Sequence, residues 1–513
     1  MLNQHRMSDS HEESLMTLEN MKKRKQNDDM LSDLPDCVLL HILSFLNTKH
    51  VVQTCVLSKR WKHLWKRIPI LILHSSTFST VKRFTKFVSK ILTLRDTSTA
   101  LHILDLKRGG DIEPQLLKKI LNYVSSHNTQ LQELGISVCG DKSLIKSCVS
   151  SCHALTSLKL SVYPRGSSGT PNYTPTLFPI SFDLPLLTNL DLENFAFWGG
   201  ESGYVEPFSV FTKLNSLVIS NCKVIDSPVI NISSETLVNL AVTCPLEKIN
   251  VDIQNNSSNF AEIKLSTPNL CTFTFKGELF QKICGDGLSS VKQVNIDDSR
   301  QFYASVMHGL VLFSWLRDFT DVESLTVTST SLQILSLVPD LLEAKLHSLC
   351  NLKSLEVELI PLYDGSLSRS IKDAMLKKAA AKVHKEVAKL SKAFIARLKP
   401  PAIPDGIVDF LRQNSPSAEI NISTDFPHVL NLKQVAESIK GAKIVKYRPR
   451  YAAPGSSSTA PASAAAPASA AVPASVAAPA SVAVPAFAAP PNLHLYCSEK
   501  DGKSSNEDKV EKH

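Results

Sequence analysis

The sequence predicts an α/β fold: a three-helix N-terminal module, then an irregular solenoid with a parallel concave sheet, closed by a C-terminal helical cap and a disordered tail. Three observations carry this. Residues 31–73 concentrate apolar side chains at helical spacing, residues 100–360 repeat a motif of the form Leu-x-x-Leu-x-Leu, and residues 452–490 are dominated by Ala, Pro, Ser and Val. With 513 residues, 43% hydrophobic and 20% charged, the chain has enough apolar material for a sizeable core, which excludes wholesale disorder.

The first thirty residues are polar and charged, without the apolar stretch a secretory signal requires. No uninterrupted apolar run reaches the roughly 18 residues of a membrane helix. A soluble protein of the cytosol or nucleus is expected, with no membrane partner. The basic run Lys22 to Lys25 has the composition of a nuclear-import signal and equally suits a solvated leader. Eleven cysteines, an odd number without framework spacing, fit reduced thiols. Cys148, Cys152 and His153 offer three zinc-type ligands, but the spacing is not that of a usual finger and no second pair lies nearby. A helix with buried thiols beside Leu155, Leu158 and Leu160 is the better reading. No metal and no cofactor are expected.

The block 31–73 reads as three helices. Leu34-Pro35 opens the first, since proline loses nothing in a first turn where its N–H would have no partner. Val38, Leu39, Ile42, Leu43 and Leu46 then form a stripe too wide for a lone helix of a small domain. Thr48 is the expected N-cap of a second helix bearing Val51, Val52, Val56 and Leu57. Ser58 is the expected cap of a third, with Trp61, Leu64 and Trp65 at i, i+3 and i+4. About 40 residues have too little interior for all of these, so part of the surface belongs to a partner.

The string LSDLPDCVLLHILSFLNTKHVVQTCVLSKRWKHLW, residues 31–65, resembles the F-box of plant F-box proteins. Leu-Pro-Asp, Ile-Leu-Ser-Phe-Leu and Val-Leu-Ser-Lys-Arg-Trp match in order and spacing. The resemblance implies docking on a Skp-type adaptor and, through it, on a cullin scaffold of a ubiquitin ligase. It assigns Leu34, Pro35, Leu39, Ile42, Leu43 and Leu46 to the adaptor interface, with Val56, Leu57, Trp61, Leu64 and Trp65. Some of these would instead hold the helices together.

The repeats run LHILDL, LQELGI, LTSLKL, LTNLDL, LNSLVI, LVNLAV, LCTFTF, VKQVNI, VESLTV and LKSLEV. Their middle apolar residues fall at 104, 134, 158, 190, 217, 240, 273, 294, 325 and 355, a mean step of about 28, within the leucine-rich-repeat range. The array resembles the degenerate leucine-rich repeats that follow the F-box in many plant proteins. Such units bury their leucines only by stacking, which gives a curved parallel sheet. Between the leucines the concave face shows Asp105, Lys107, Glu133, Lys159, Asp191, Glu193, Lys276, Asp297, Glu356 and Glu358, seven acids against three lysines. Nucleic acid and polyphosphate would need clustered Lys and Arg, so neither is expected. A protein target is, with Asp191, Glu193, Asp297, Glu356 and Glu358 as candidate contacts. The Pro/Gly-rich insertion 162–180 adds Tyr163 and Tyr173 as candidates on a loop.

Between Lys372 and Lys399, Leu376, Ala380, Val383, Val387, Leu390 and Phe394 form a seam among nine basic residues and two acids. This helix is expected to cover the open end of the solenoid, or to bind a partner. Beyond Pro400-Pro401 a helix near Ile407 to Leu411, a strand near Ile420 to Ile422 and a helix near Val429 to Ile439 are expected. Prolines at 461, 467, 473, 479 and 485 mark a semi-extended tail. The organisation expected is leader 1–30, F-box 31–73, repeats 74–365, basic helix and cap 366–450, tail 451–513.

Phosphate loops, His-Glu-x-x-His and Gly-x-Ser-x-Gly are missing from the sequence. The expectation is a non-catalytic adaptor: the substrate-recognition subunit of an SCF-type ubiquitin ligase. The alternatives are a ligase-independent scaffold and a small-molecule-dependent receptor of the same layout.

Overall fold

The computed structural model describes residues 31, 34–163, 175–179, 182–199, 204–244, 257–258, 262–298, 305–359, 403–404, 406–424 and 443–444. The leader with Lys22 to Lys25, Tyr173, the basic helix 372–399, the helix expected near 429–439 and the tail lie outside the described residues.

Twenty strands are described: β1 (Ile70–His74), β2 (Ile103–Asp111), β3 (Glu133–Cys139), β4 (Ser157–Tyr163), β5 (Thr176–Leu177), β6 (Asn189–Glu193), β7 (Phe195–Trp198), β8 (Ser216–Ser220), β9 (Lys223–Ile225), β10 (Val229–Ser233), β11 (Asn239–Thr243), β12 (Ser257–Ser258), β13 (Glu262–Ser266), β14 (Thr272–Lys276), β15 (Lys282–Cys284), β16 (Gln293–Asp297), β17 (Ser324–Thr328), β18 (Ser354–Leu359), β19 (Glu419–Thr424) and β20 (Lys443–Ile444). Thirteen of them make one sheet in chain order, β1-β2-β3-β4-β6-β8-β11-β14-β16-β17-β18-β19-β20. Every pairing in it is parallel.

All ten repeat positions fall in one register row, from Leu104 beside Leu134 to Leu325 beside Leu355, and each is buried. The row extends beyond them at both ends, to Leu71 of β1 and Ile420 of β19. Ile68-x-x-Leu71-x-Leu73 is thus a further copy of the motif, inside the block that also carries the helices. At the other end Ser417 stands where a leucine would, so the motif before Ile420 is degraded.

One backbone device repeats along this edge. The carbonyl just ahead of each strand accepts two N–H groups from the start of the next coil. Pro69 O takes His102 and Ile103, Gln132 O takes Thr156 and Ser157, and Glu323 O takes Lys353 and Ser354, at 2.8 to 3.3 Å. Asn215, Val238, Cys271 and Lys292 do the same between them. Polar groups at each coil junction are thereby paired without side chains, which is why side-chain identity there is free to drift.

The far side of the core changes character along the array. Amphipathic helices Val81–Leu94, Pro114–Ser126 and Lys142–Ser150 back the first coils. The central coils use short strands instead: β12-β9-β7-β5 form a four-stranded sheet and β10-β13-β15 a three-stranded one. Helices return at Val306–Asp318, Ser329–Leu335 and Ile407–Asn414. The turn from sheet to backing needs left-handed backbone at Asn194 (φ 65°), Asn221 (φ 51°) and Gly277 (φ 131°), each directly after a sheet strand. Asparagine and glycine are the residues that tolerate it.

The N-terminal module has helices Asp36–Ser44, Thr48–Gln53 and Trp61–Leu64. Asn47 caps the second, its side chain accepting the His50 N–H at 3.0 Å. Thr48 lies one residue inside, buried, and its hydroxyl accepts the N–H of Ile72 on β1 at 2.8 Å. Ser58 caps nothing, because the third helix starts after Arg60, already helical in its backbone.

Candidate functional site

The first helix carries two apolar stripes. Leu39 and Leu43 point inward and, with Val51, Trp61, Leu64 and Ile68, form a small core of the module's own. Leu34, Leu46 and Trp65 are half-buried against that core, and Trp65 also packs against the core of the solenoid. Of the eleven residues expected at an adaptor interface, Leu39, Leu43, Trp61 and Leu64 are therefore internal. They are the side chains that let three short helices cohere.

The second stripe faces out. Ile42 is 37% exposed, Val56 64% and Leu57 62%, and Pro35 beside them is exposed. Two residues that the resemblance did not assign to the interface join them: Val38, counted in the first helix's stripe, at 38%, and Phe45 at 75%, the latter edge-on to His41 at 5.0 Å between ring centroids. The signal was present, since 38, 42 and 45 follow a helical i, i+4, i+7 spacing. The inner stripe at 39, 43 and 46 masked it.

Ion pairs lock this surface in place. Asp36 meets Arg60 at 2.8 Å and Arg67 at 3.2 Å, and Arg60 also donates to the Leu34 carbonyl. The Arg60 guanidinium holds the Asp36 carboxyl below the usual carboxylate range. Behind it, the module is fastened to the solenoid by a buried arginine. Arg95 donates to the carbonyls of Ile68 (2.5 Å from Nη2), Thr99 (3.3 Å) and Ala100 (2.9 Å), and to the Tyr123 hydroxyl. Lys49 reaches the Thr77 carbonyl at 2.5 Å.

The open face of the large sheet holds the second set of candidates. Asp191 is paired with Lys159, whose ammonium is held charged further up the pH scale by that carboxylate. Asp297 lies 3.6 Å from Lys276. His74 Nε2 lies 2.7 Å from an Asp105 oxygen. Asp191 and Asp297 are thus each paired with a lysine on a neighbouring strand. Glu193 and Glu358 are half-buried and Glu356 is exposed. Tyr163 ends β4, half-buried, where its hydroxyl accepts from the Asn194 amide, and burial pushes its pKa up. It supports the Asn194 corner.

Cys148 and Cys152 are both buried, the Cys152 thiol donating to the Cys148 carbonyl at 3.2 Å. The neighbouring Cys152 sulfur and burial push the Cys148 thiol up. His153 turns away, its Nδ1 3.2 Å from the Asp183 carbonyl. Among the described residues, no group of three His, Cys, Asp or Glu side chains is arranged to hold a metal, and no helix is long and apolar enough to cross a membrane.

An F-box domain model matches residues 31–73. An Arabidopsis thaliana F-box/LRR-repeat protein is 29% identical over 279 residues, 52% of this chain and 67% of the relative. F-box/LRR-repeat protein 13 of the same plant is 34% identical over 136 residues, 26% of this chain and 30% of the relative. An FBD-associated F-box protein, also from Arabidopsis thaliana, is 37% identical over 141 residues, 27% of this chain and 31% of the relative. The chain spans between 30% and 67% of the length of these relatives. The chain thus carries an F-box domain at residues 31–73 that leads directly into a parallel sheet of leucine repeats, and it is similar to F-box/LRR-repeat proteins of Arabidopsis thaliana.

Proposed function

We propose that the chain is the target-recognition subunit of an SCF-type ubiquitin ligase. The F-box module docks on a Skp-type adaptor, the adaptor joins it to a cullin, and the open face of the sheet binds a protein target. The observation that carries this reading is the outward stripe of Pro35, Val38, Ile42, Phe45, Val56 and Leu57, apolar side chains left over after the module has built its own core. Exposed apolar side chains gathered on one small module are what a protein-docking surface presents. Burying each of these side chains contributes about 1.5–3 kcal/mol, so a few suffice for tight association.

The chemistry of such a subunit is positioning. Holding a target beside a ubiquitin-loaded enzyme raises the effective concentration of its lysines, and no catalytic group of this chain takes part. The firm seat of the module on the solenoid, through Arg95 and the shared strand β1, supports that role. The polar leader with Lys22 to Lys25 supports action in the cytosol or nucleus.

Co-expression with a Skp-type adaptor and a cullin tests the reading. Wild type is expected to co-purify with both, and Phe45→Asp combined with Leu57→Asp to lose both while remaining folded. A folded wild type that captures neither partner would overturn it.

A further inference from the structure

The three helices that back the first coils, Val81–Leu94, Pro114–Ser126 and Lys142–Ser150, share a one-sided charge. They contain four, two and two lysines or arginines, all exposed, and no aspartate or glutamate. The second helix is tied to the first by Lys119, which donates to the Ser89 carbonyl at 3.0 Å and the Thr93 hydroxyl at 2.9 Å, and this sets its charge near Lys90. The ion pairs of the described residues include none of the eight basic residues. The acids adjoining these helices in sequence stand at their ends. Asp96 follows the first and is held by Ser98, Asp111 and Glu113 precede the second, and Asp141 caps the third by accepting the Ser143 and Leu144 N–H groups. The helix faces between those ends are basic.

This band ends beside a cavity of about 250 Å³. Lys142, Ile145 and Lys146 of the third helix wall it together with Leu160 and Val162 of β4 and with Phe178 and Phe182. No acid lines it, and the hydroxyl of Thr176 in its wall is already spent on the Val162 carbonyl at 3.0 Å. The interior is therefore apolar and the helix beside it cationic. The volume falls below the roughly 300–1,000 Å³ of a site for a drug-sized molecule and suits one large apolar side chain.

We propose that this side of the first coils binds an acidic polypeptide segment, which seats one Phe or Leu side chain in the cavity and lays its acids along the lysines of the three helices. Packed helices lie about 8–10 Å apart, so two intervals make about 16–20 Å, the reach of about six residues of extended chain at ~3.3 Å each. Nucleic acid would answer the lysines but has no apolar side chain for the cavity. None of the aromatic residues on these helices is exposed to stack its bases either. The surface lies across the core from the open face of the sheet, and the proposal does not rest on target binding there.

The test uses the full chain and fluorescein-labelled peptides of six glutamates with a Phe at either end. Fluorescence anisotropy is expected to show one of the two binding about tenfold more tightly than the same peptide with Ala for Phe, and about tenfold more tightly than the one with Gln for Glu. Affinity should fall as salt rises from 50 to 300 mM, since the lysines are solvated. Lys86→Glu with Lys118→Glu is expected to weaken binding about tenfold. Ser143→Trp, an exposed position at the cavity wall, is expected to remove the preference for Phe over Ala and to keep the preference for Glu over Gln. Equal binding of the Phe and Ala peptides, no binding of either Phe peptide, or tighter binding of a DNA duplex or of anionic lipid vesicles would overturn the proposal. Adaptor capture by these variants should match wild type, because the outward stripe of the module is untouched.

Discussion

The F-box module and the solenoid solve the same problem, burying leucines in a chain of modest apolar content, in opposite ways. The solenoid hides the leucines of its repeat motifs, because each coil is covered by the next, and it shows small polar groups on its open face. The module is too small to do so. It buries Leu39 and Leu43 on one side of its first helix and leaves Val38, Ile42 and Phe45 on the other. In the proposed function the module's surplus apolar surface serves docking on a fixed partner, and the open face of the sheet serves target binding.

The sharpest way to break this comparison is to exchange the roles of the two stripes. Phe45→Asp with Leu57→Asp is expected to weaken adaptor binding at least about 100-fold by calorimetric titration, with the melting transition unmoved, because both side chains are solvated in the free chain. Leu43→Ala should do the reverse. Its buried side chain leaves a cavity worth about 2–5 kcal/mol by denaturant titration. Leu240→Ala in the middle of the sheet is expected to lose a similar amount, with adaptor binding intact.

Arg95 joins the two regions, and its removal comes next in size. Arg95→Met leaves the buried carbonyl of Ile68 and the part-buried ones of Thr99 and Ala100 without this donor, at about 1–3 kcal/mol for the buried group left unpaired. It should also broaden the distance distribution between spin labels on module and sheet.

Asp298 sharpens the contrast through pH. It is fully buried in the last third of the solenoid and accepts from the hydroxyls of Thr328 and of Ser331, the latter at 3.0 Å. Burial pushes its pKa up to about 7. A carboxyl whose folded pKa lies above its unfolded value stabilises the fold fully below the unfolded value, near 3.8, and that contribution is lost as pH rises through about 7. Melting temperature should fall between pH 5 and pH 8, and Asp298→Asn should flatten the fall. The smallest effect is expected on the exposed edge. Lys353→Ala, which removes a surface partner of Glu323, should leave the melting transition essentially unmoved.

Much of the fold was legible because a parallel solenoid writes itself as spacing. The middle residues of all ten motifs occupy one row, and the burial of Leu101, Leu131, Leu155 and their equivalents follows from the same pattern. What escaped lay where two signals overlapped or one decayed. Leu71 was read as part of a helical block because strand β1 follows the third helix after only a short turn and Pro69. Ile420 was read as part of a separate unit because Ser417 breaks its motif. The strands backing the central coils were invisible, since pieces of two to five residues carry too little periodicity. In the N-terminal module the sequence marked the helices and their apolar residues. It did not separate Leu39, Leu43, Trp61 and Leu64 from the outward stripe, because both stripes are apolar and only three-dimensional packing tells them apart. On the sheet face it counted charges but not their pairing, which depends on register.

Hydrogen–deuterium exchange of the full chain, alone and with a Skp-type adaptor, tests the division of labour most directly. The account predicts slowed exchange on binding along residues 35–60 and unchanged exchange in β6, β8, β11 and β14. Protection centred on those sheet strands, with the first helix unaffected, would contradict it.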